Sequence, residues 1–490
     1  MIETLLRDLV RRLPVTCTPE TSVRAAAQQM RRENVGSILV LVDGDPVGIV
    51  TNTDLRDRVI ADGRAPEMPV SAVMSRPVVT RPATASIFEA LRTLMRHRMH
   101  HLVVTATEAP GAPVIGVVSD QDIARLHGFN PVALLKRIER APSVMALTSI
   151  RRELAPHLLY LEAQGVSAED IIAVNTEAND LLTVRVLQCV EESLRREAAV
   201  EAVDLRWVWL SLGSEGRGEM SLKTDQDNAL LYEDPSSEAE ATQAQRWFLR
   251  FAEAANEALV QCGFTRCPGD VMARNPRWCR PLGAWKRTFR GWIQEPDPKA
   301  LMQASIFFDL RGLHGDTGLV TALQDDLRQA LKAERGFLAF MMHNALTNRP
   351  PLSIFGGFAL ARSGPHRHRF DLKLRGLMPL VDLARILALE AGYLASTHTM
   401  DRLQHVQTAL PDLQATVDNA RDAYRYLVDR RLAHHLRALR HGEALSNLDN
   451  YLDPDTLSDV QQQMLKAVFG VIRDMQEVLA HRYGAGMMRG

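Results

Sequence analysis

Apolar positions along the chain switch between two spacings, and the switches divide it into parts. In the first quarter, "SVRAAAQQMRRENVGSILVLVDG" passes from a helical period into a β-rich run, and "SIFEALRTLMRHRMHHLVVTATE" repeats the change further on. Each is followed by a strand that turns into a helix. "VGIVTNTDLRDRVI" (Val47 to Ile60) is echoed by "IGVVSDQDIARLHG" (Ile115 to Gly128). The duplication predicts two copies of helix, strand, turn, strand, helix. A helical connector follows, "PVALLKRIERAPSVMALTSIRRELAPHLLYLEAQG" and "SAEDIIAVNTEANDLLTVRVLQCVEESLRRE", broken near Gly165 and Ser167. "DLRWVWLSLG" and "TDQDNALLY" then read as strands, and the run Ser305 to Leu310 in "ASIFFDLRGLHGD" is β-prone. From about Leu319 the helical period dominates and predicts an antiparallel bundle. One stretch there, "PPLSIFGGFALARSGPHRHRFDLKLRGLMPL", reads instead as a β-hairpin with a basic tip leading into a helix.

Composition narrows the classes. A chain of 490 residues that is 46% hydrophobic can bury several cores. Its 58 Lys and Arg nearly balance 59 Asp and Glu, so no bulk field favours nucleic acid or an anionic membrane. No apolar run is long enough to span a bilayer, and "MIETLLRDLVRRLPV" reads as an amphipathic helix rather than a signal peptide. The five cysteines, Cys17, Cys189, Cys262, Cys267 and Cys279, are odd in number and match no common zinc spacing. A reducing cytoplasm is the expected compartment.

Two places carry candidate chemistry. In each repeat a strand ends in Gly-apolar-apolar-[Ser/Thr]-x-x-Asp, so Thr51 and Ser119 can cap the next helix, with Asp54 and Asp122 on its first turn. The same hydroxyl and carboxylate can take the two hydroxyls of a ribose. His97, His100 and His101 in "RHRMHH" resemble the solvated end of a helix more than a metal site.

The second place is "LSLGSEGRGEMSLKTDQDNALLY". Asp225 and Asp227 lie two positions apart on a strand, so both leave one face and repel each other. A hard divalent cation relieves that repulsion, and oxygen ligands suit Mg²⁺ carried by a triphosphate. Gly213 and Ser214 end the preceding strand, where backbone amides can approach phosphate, and Arg217 can add a bidentate contact.

The two repeats resemble CBS domains over about Leu9 to Leu126. That resemblance implies a paired module with an adenine nucleotide (AMP, ADP or ATP) in its cleft, contacted through Thr51, Asp54, Ser119 and Asp122, and a homodimer. The glycine turn and Asp-x-Asp resemble the polymerase-β-type nucleotidyltransferases. The longer string is similar to PII uridylyltransferases and glutamine-synthetase adenylyltransferases, and "TDQDNAL" to signal-transduction nucleotidyltransferases joined to CBS pairs. Gln226 and Asn228 stand where the superfamily usually has apolar residues.

That superfamily uses a third carboxylate. Asp309, interrupting a β-prone run, is the expected third metal ligand and proton acceptor, with Arg311 on the same face to steady phosphate. The narrower family also has similar D-L-R and G-D pairs, matched by Gly315 and Asp316. Its F-G-G-F and D-x-K-x-x-G-x-x-P are matched by Phe355 to Phe358 and by Asp371, Lys373, Gly376 and Pro379. Between the acid strands, Arg274, Arg277, Arg280, Lys286, Arg287 and Arg290 interleave with Trp278, Trp285 and Trp292. Either a phosphate-and-base pocket or a basic helix face over core tryptophans fits that pattern. Arg385 and Arg402 read as solvated helix charges, and His434 and His435 have no suitable acid nearby in sequence. The absence of a His-Asp dipeptide implies that the uridylyl-removing hydrolase domain is missing.

The expected architecture is α/β plus all-α: a tandem CBS pair (1–128), a nucleotidyltransferase domain with a helical connector (129–318) and a C-terminal helical domain (319–490). The expected chemistry is Mg²⁺-dependent transfer of a nucleotide from an NTP to a protein or small-molecule acceptor. Asp225, Asp227 and Asp309 would hold the metal, and Gly213, Ser214, Arg217 and Arg311 the nucleotide. The alternative is a non-catalytic nucleotide-sensing regulator.

Overall fold

The structure is a computed structural model describing residues 5–97, 99–127, 131–197, 202–223, 225–296, 304–334, 336–353 and 357–484. It divides into two compact units, Met1–Arg137 and Ile138–Gly490.

The first unit is duplicated down to its irregularities. Strands β1 (Thr16–Cys17), β2 (Ser37–Val42) and β3 (Asp45–Thr51) form one sheet, β4 (Thr80–Pro82), β5 (His101–Thr105) and β6 (Val114–Ser119) the other. In both, the first pair is parallel and the second antiparallel. Ser37 pairs with Thr51 as His101 pairs with Ser119, and each ladder slips at the fourth position, between Val40 and Leu41 or Val104 and Thr105. Helix Val23–Glu33 starts where Ser22 Oγ accepts from Ala25 N, and ends at Asn34 in the left-handed region. Its Val23, Ala26 and Met30, one face at helical spacing, pack on Ile38, Val40 and Val50.

In the second unit the connector forms two helices, Val144–Ala163 and Ala168–Arg196, capped by Ser143 and Ser167 and separated at Gly165 (φ +80°). The main sheet has the order β11-β9-β7-β12, from β7 (Trp207–Ser211), β9 (Asn228–Tyr232), β11 (Cys279–Pro281) and β12 (Arg311–Gly315). Its β9–β11 pair is parallel and the others antiparallel. A separate parallel pair joins β8 (Asp225–Gln226) to β10 (Thr265–Arg266). The same unit holds helices Glu238–Gln261 and Leu282–Gln294 and, further on, Gly318–Ala333, Gly336–Ala345, Met378–Glu390, Thr399–Ala409, Gln414–Arg440 and Asp459–Arg482. The stretch expected as a hairpin forms no two-stranded ladder among the described residues: Leu352 and Phe358 make an isolated bridge, Ala361 N donates to Arg369 O and His368 N to Ala361 O (both 3.0 Å), and Phe370–Asp371 pairs instead with Tyr451–Leu452. Phe355 and Gly356 of the F-G-G-F stretch lie outside the described residues.

Two further expectations change. The run Ser305 to Leu310 is not a strand: residues 304–307 are helical, and β12 begins only at Arg311. Ala304, Phe307 and Phe308 explain this, since an i, i+3, i+4 set presents one buried face in a helix and would be split between two faces in a strand. The interleaved tryptophans settle as core. Trp278, Trp285 and Trp292 surround Phe307 with ring centroids 4.5 to 5.4 Å away, while Arg280 turns to Thr288 and Arg290 to Asp326. The two compact units meet in sequence at 137/138. Leu210, Phe307 and Leu310 share a hydrophobic core with Leu383 and Leu387 of the helical part.

Candidate active site

The turn after β7 and the acid strand meet. Leu212 N donates to Asp227 O at 2.9 Å, and Gly213 takes φ +54°, where a Cβ would stand 3.0 Å from Asp227 Oδ2. A side chain there would be strained by the backbone and pressed against the carboxylate. Asp225 Oδ1 accepts from Thr265 Oγ1 at 2.5 Å. The two acids are half-buried, and the intervening Gln226 and Asn228 are buried. Those amides are satisfied as a set: Asn256 Nδ2 donates to Gln226 Oε1 (2.8 Å) and Asn228 Oδ1 (3.0 Å), and Ala273 N also donates to Asn228 Oδ1 (2.9 Å). The two acids do not share one strand as expected, because Asp227 lies in the break between β8 and β9; the closed amide network on Asn256 explains the polar residues where apolar ones were expected. Burial raises the Asp227 carboxyl, and Asp225 adds to the rise, against Cys267 and Lys373. Ser214 sits in the one-turn helix Gly213–Gly216, its carbonyl accepting from Glu219 N.

Asp309 is elsewhere in its bonding. Fully buried on the turn before β12, it receives four guanidinium hydrogen bonds: Arg385 Nε (2.9 Å) and Arg402 Nη1 (2.6 Å) on Oδ1, and Arg385 Nη2 and Arg217 Nη1 (both 2.6 Å) on Oδ2. Burial alone would raise its pKa, but Arg385, Arg402 and Arg217 outweigh that and hold it far below the usual carboxylate range. Such a group neither takes a proton at neutral pH nor offers a lone pair to a metal. Among the described residues no three His, Cys, Asp or Glu side chains gather as a metal site. Arg217 is committed too, its Nε donating to Glu219 Oε2 at 2.7 Å, so it is not the phosphate contact expected of it. Arg385 and Arg402 are buried rather than solvated. Arg311 pairs with Asp180 (2.8 and 3.0 Å) and donates to Glu215 O, which removes it from the phosphate role as well. Glu215, buried near Asp180 and Asp227, is pushed up to about 8, mainly by burial.

The helical part supplies what sequence reasoning left without a task. Burial and Arg431 lower the Lys373 ammonium, which lies in the field of Asp225 and Asp227. His435 is fully buried between Ser221 Oγ on Nδ1 (2.7 Å) and the Asp449 carbonyl on Nε2 (2.9 Å). A carbonyl only accepts, so Nε2 carries the proton and Ser221 donates to Nδ1. His434 finds its acid in Asp449, 3.3 Å away. Only Lys373 had a signal, its place in the D-x-K string.

In the first unit a cleft of about 790 Å³ is lined by Thr51, Ser119 and Asp122, with Arg11, Arg12 and Lys136 among its cations. The two helix starts match: Thr51 Oγ1 donates to Asp54 Oδ2 and Ser119 Oγ to Asp122 Oδ2, both 2.6 Å. They differ at the second oxygen. Asp54 Oδ1 accepts from Ser75 Oγ (3.0 Å) and pairs with Arg58 (3.2 Å), whereas Asp122 Oδ1 has no partner among the described residues. Asp54 is thereby turned to internal work, and Asp122 alone of the two lines the cleft. His100 Nδ1 lies 2.8 Å from Asp120.

Family models agree with this division of labour. CBS domains match at 6–61 and 70–127, "Putative nucleotidyltransferase DUF294" at 152–299, and "Putative nucleotidyltransferase substrate binding domain" at 335–483. A CBS pair on a nucleotidyltransferase-type domain with its substrate-binding partner defines a class, and the chain belongs to that CBS-linked family. The expected α/β plus all-α architecture holds. Several curated relatives each align with about a quarter of the chain. An uncharacterised protein of Methanopyrus kandleri is 27% identical over 25% of this chain and 62% of its own length. The CBS domain-containing protein YhcV of Bacillus subtilis is 29% identical over 24% of this chain and 82% of its own. Inosine-5'-monophosphate dehydrogenase of Rhodopirellula baltica is 34% identical over 24% of this chain and 20% of its own. Among solved structures, an uncharacterised conserved protein from Pyrococcus horikoshii is 26% identical over 26% of this chain and 93% of its own (TM-score 0.24). A Pyrobaculum aerophilum CBS domain protein complexed with AMP is 22% identical over 24% of this chain and 89% of its own (TM-score 0.23). No helix among the described residues is long and apolar enough to cross a membrane.

Proposed function

We propose that the second unit moves a nucleoside monophosphate from an NTP to a hydroxyl on a protein or small-molecule acceptor, in the manner of PII uridylyltransferases, and that the CBS cleft takes an adenine nucleotide that regulates it. The acceptor oxygen bonds to the α-phosphorus, the bond to the bridging oxygen breaks, and pyrophosphate leaves. The observation that carries this reading is the half-buried Asp225 and Asp227 pair against the Gly213 turn. Two close oxygen donors, one raised in pKa by burial and its neighbour, are chemically suited to Mg²⁺. When bound, the metal would supply Lewis-acid stabilisation of the triphosphate. Asp309 has no part in this chemistry. For the CBS cleft, the support is the open oxygen of Asp122 for a ribose and Arg11, Arg12 and Lys136 for phosphate. The same reading expects a homodimer and the cytoplasm.

Incubating the full chain with each α-labelled NTP, Mg²⁺ and a cell extract tests it. Label carried to a macromolecule or small acceptor by the parent, and abolished in Asp225→Asn with Asp227→Asn, is the expected result; equal transfer by the double variant would refute it. One observation favours a second reading, a non-catalytic nucleotide-sensing regulator: the third carboxylate is locked by three arginines. Metal-independent NTP binding with no pyrophosphate released is the outcome that supports it.

A further inference from the structure

Two cations of the helical part are anchored by one residue. Asn450 accepts from Leu372 N at its carbonyl (2.8 Å) and from Arg431 Nε at its Oδ1 (2.7 Å), so the backbone that carries Lys373 and the Arg431 guanidinium share a support. Around that anchor, Phe370–Asp371 pairs with Tyr451–Leu452, and Asp371 Oδ1 accepts from Leu374 N at 2.8 Å, securing both sides of Lys373. One helical turn after Arg431 on helix Gln414–Arg440, His435 Nδ1 accepts from Ser221 Oγ at 2.7 Å, four residues before Asp225, so the anchored segment is held against the acid-bearing stretch. There the Lys373 ammonium lies in the field of both Asp225 and Asp227, and Arg431 in that of Asp225. The Lys373 carbonyl accepts from Met378 N, but among the described residues its ammonium makes no hydrogen bond or ion pair. A lysine held beside two acids without closing on either is placed to meet a third, anionic group between them. The guanidiniums that the sequence offered for phosphate, Arg217 and Arg311, are spent on Asp309, Glu219 and Asp180. Two carboxylates and a triphosphate remain net negative after one divalent cation, so a further cation there is favourable.

We infer that Lys373, backed by Arg431, is the residue that binds the triphosphate at this site, delivered from the segment ahead of helix Met378–Glu390. The inference rests on the nucleotidyl-transfer reading and names a phosphate contact within it. The charge of Lys373 also opposes a cation at Asp225 and Asp227 when no phosphate is present.

Two probes with opposite expected signs test it on the full chain by calorimetry: inorganic tripolyphosphate, read as its Mg²⁺-dependent binding, and Mn²⁺ alone. Lys373→Met is expected to bind tripolyphosphate about tenfold more weakly and Mn²⁺ several-fold more tightly. Lys373→Arg should restore tripolyphosphate binding, and Leu374→Ala, at an exposed neighbour, should change neither. A misfolded variant would weaken both probes, so Lys373→Met losing both alike, or binding tripolyphosphate as the parent does, overturns the inference. Asp225→Asn with Asp227→Asn separates the two claims: if the Mg²⁺ dependence survives it, the transfer site itself falls, whatever Lys373 does. A parent chain that shows no Mg²⁺-dependent binding overturns both.

Discussion

The Arg385 guanidinium holds both oxygens of Asp309, Nε to Oδ1 at 2.9 Å and Nη2 to Oδ2 at 2.6 Å. The pair joins the turn before β12 to helix Met378–Glu390. Arg217 and Arg402 bind the same carboxylate, Glu219 and Asp382 bind Arg217 and Arg385, and three positive and three negative groups close a buried network.

Asp309→Asn should therefore behave as a stability variant. Removing the charge leaves three buried guanidiniums short of an anion, at a cost of about 3–5 kcal/mol. Chemical denaturation should show the loss directly. A variant as stable as the parent but inert in transfer would restore Asp309 to the catalytic set.

Two glycines of the opening turn should differ in kind. At Gly216 a Cβ would lie 1.9 Å from the Asp309 carbonyl oxygen and 2.7 Å from that of Ser211, both backbone atoms that cannot step aside. Gly216→Ala should cost more than about 3 kcal/mol or prevent folding. Gly213→Ala meets the mobile end of Asp227 and a left-handed φ, about 1–2 kcal/mol. Its larger effect should fall on metal binding, measured with Mn²⁺.

In the CBS cleft the two matched aspartates should separate. Asp122→Asn is expected to weaken AMP binding about tenfold, because its carboxylate lines the cleft. Asp54→Asn should instead lower the thermal midpoint of its unit, because it breaks contacts to Ser75 and Arg58. Equal losses of AMP affinity in both would show that the asymmetry has no bearing on the ligand.

Stability should fall on acidification through His435. Burial, then Arg431 and His434, depress its pKa from 6.5 to about 3. A depressed histidine is neutral when folded and protonated when unfolded between those values, so its contribution is complete above 6.5 and lost as pH falls toward 3. The free energy of unfolding should gain a slope of about 1.4 kcal/mol per pH unit below 6.5. His435→Gln should flatten it, as read from urea midpoints at pH 7, 6 and 5.

Local rules made much of this protein legible from its residues. The duplicated helix and strand periods and the Ser and Thr caps depend on neighbours a few positions away, and each appears where the pattern put it. What only the tertiary structure decided is which charges are spent and which remain available. Asp309, Arg217 and Arg311 have the residue types of a catalytic set, but burial makes an unpaired charge costly, and each took the nearest opposite charge: partners 92 positions away for Asp309 and Arg217, 76 for Asp309 and Arg385. Lys373 is the reverse case, an ordinary lysine in a basic stretch until the chain returns it to Asp225 and Asp227. Periodicity fixes the direction of a side chain, whereas electrostatic partnership depends on distance in space, which only the packed core sets.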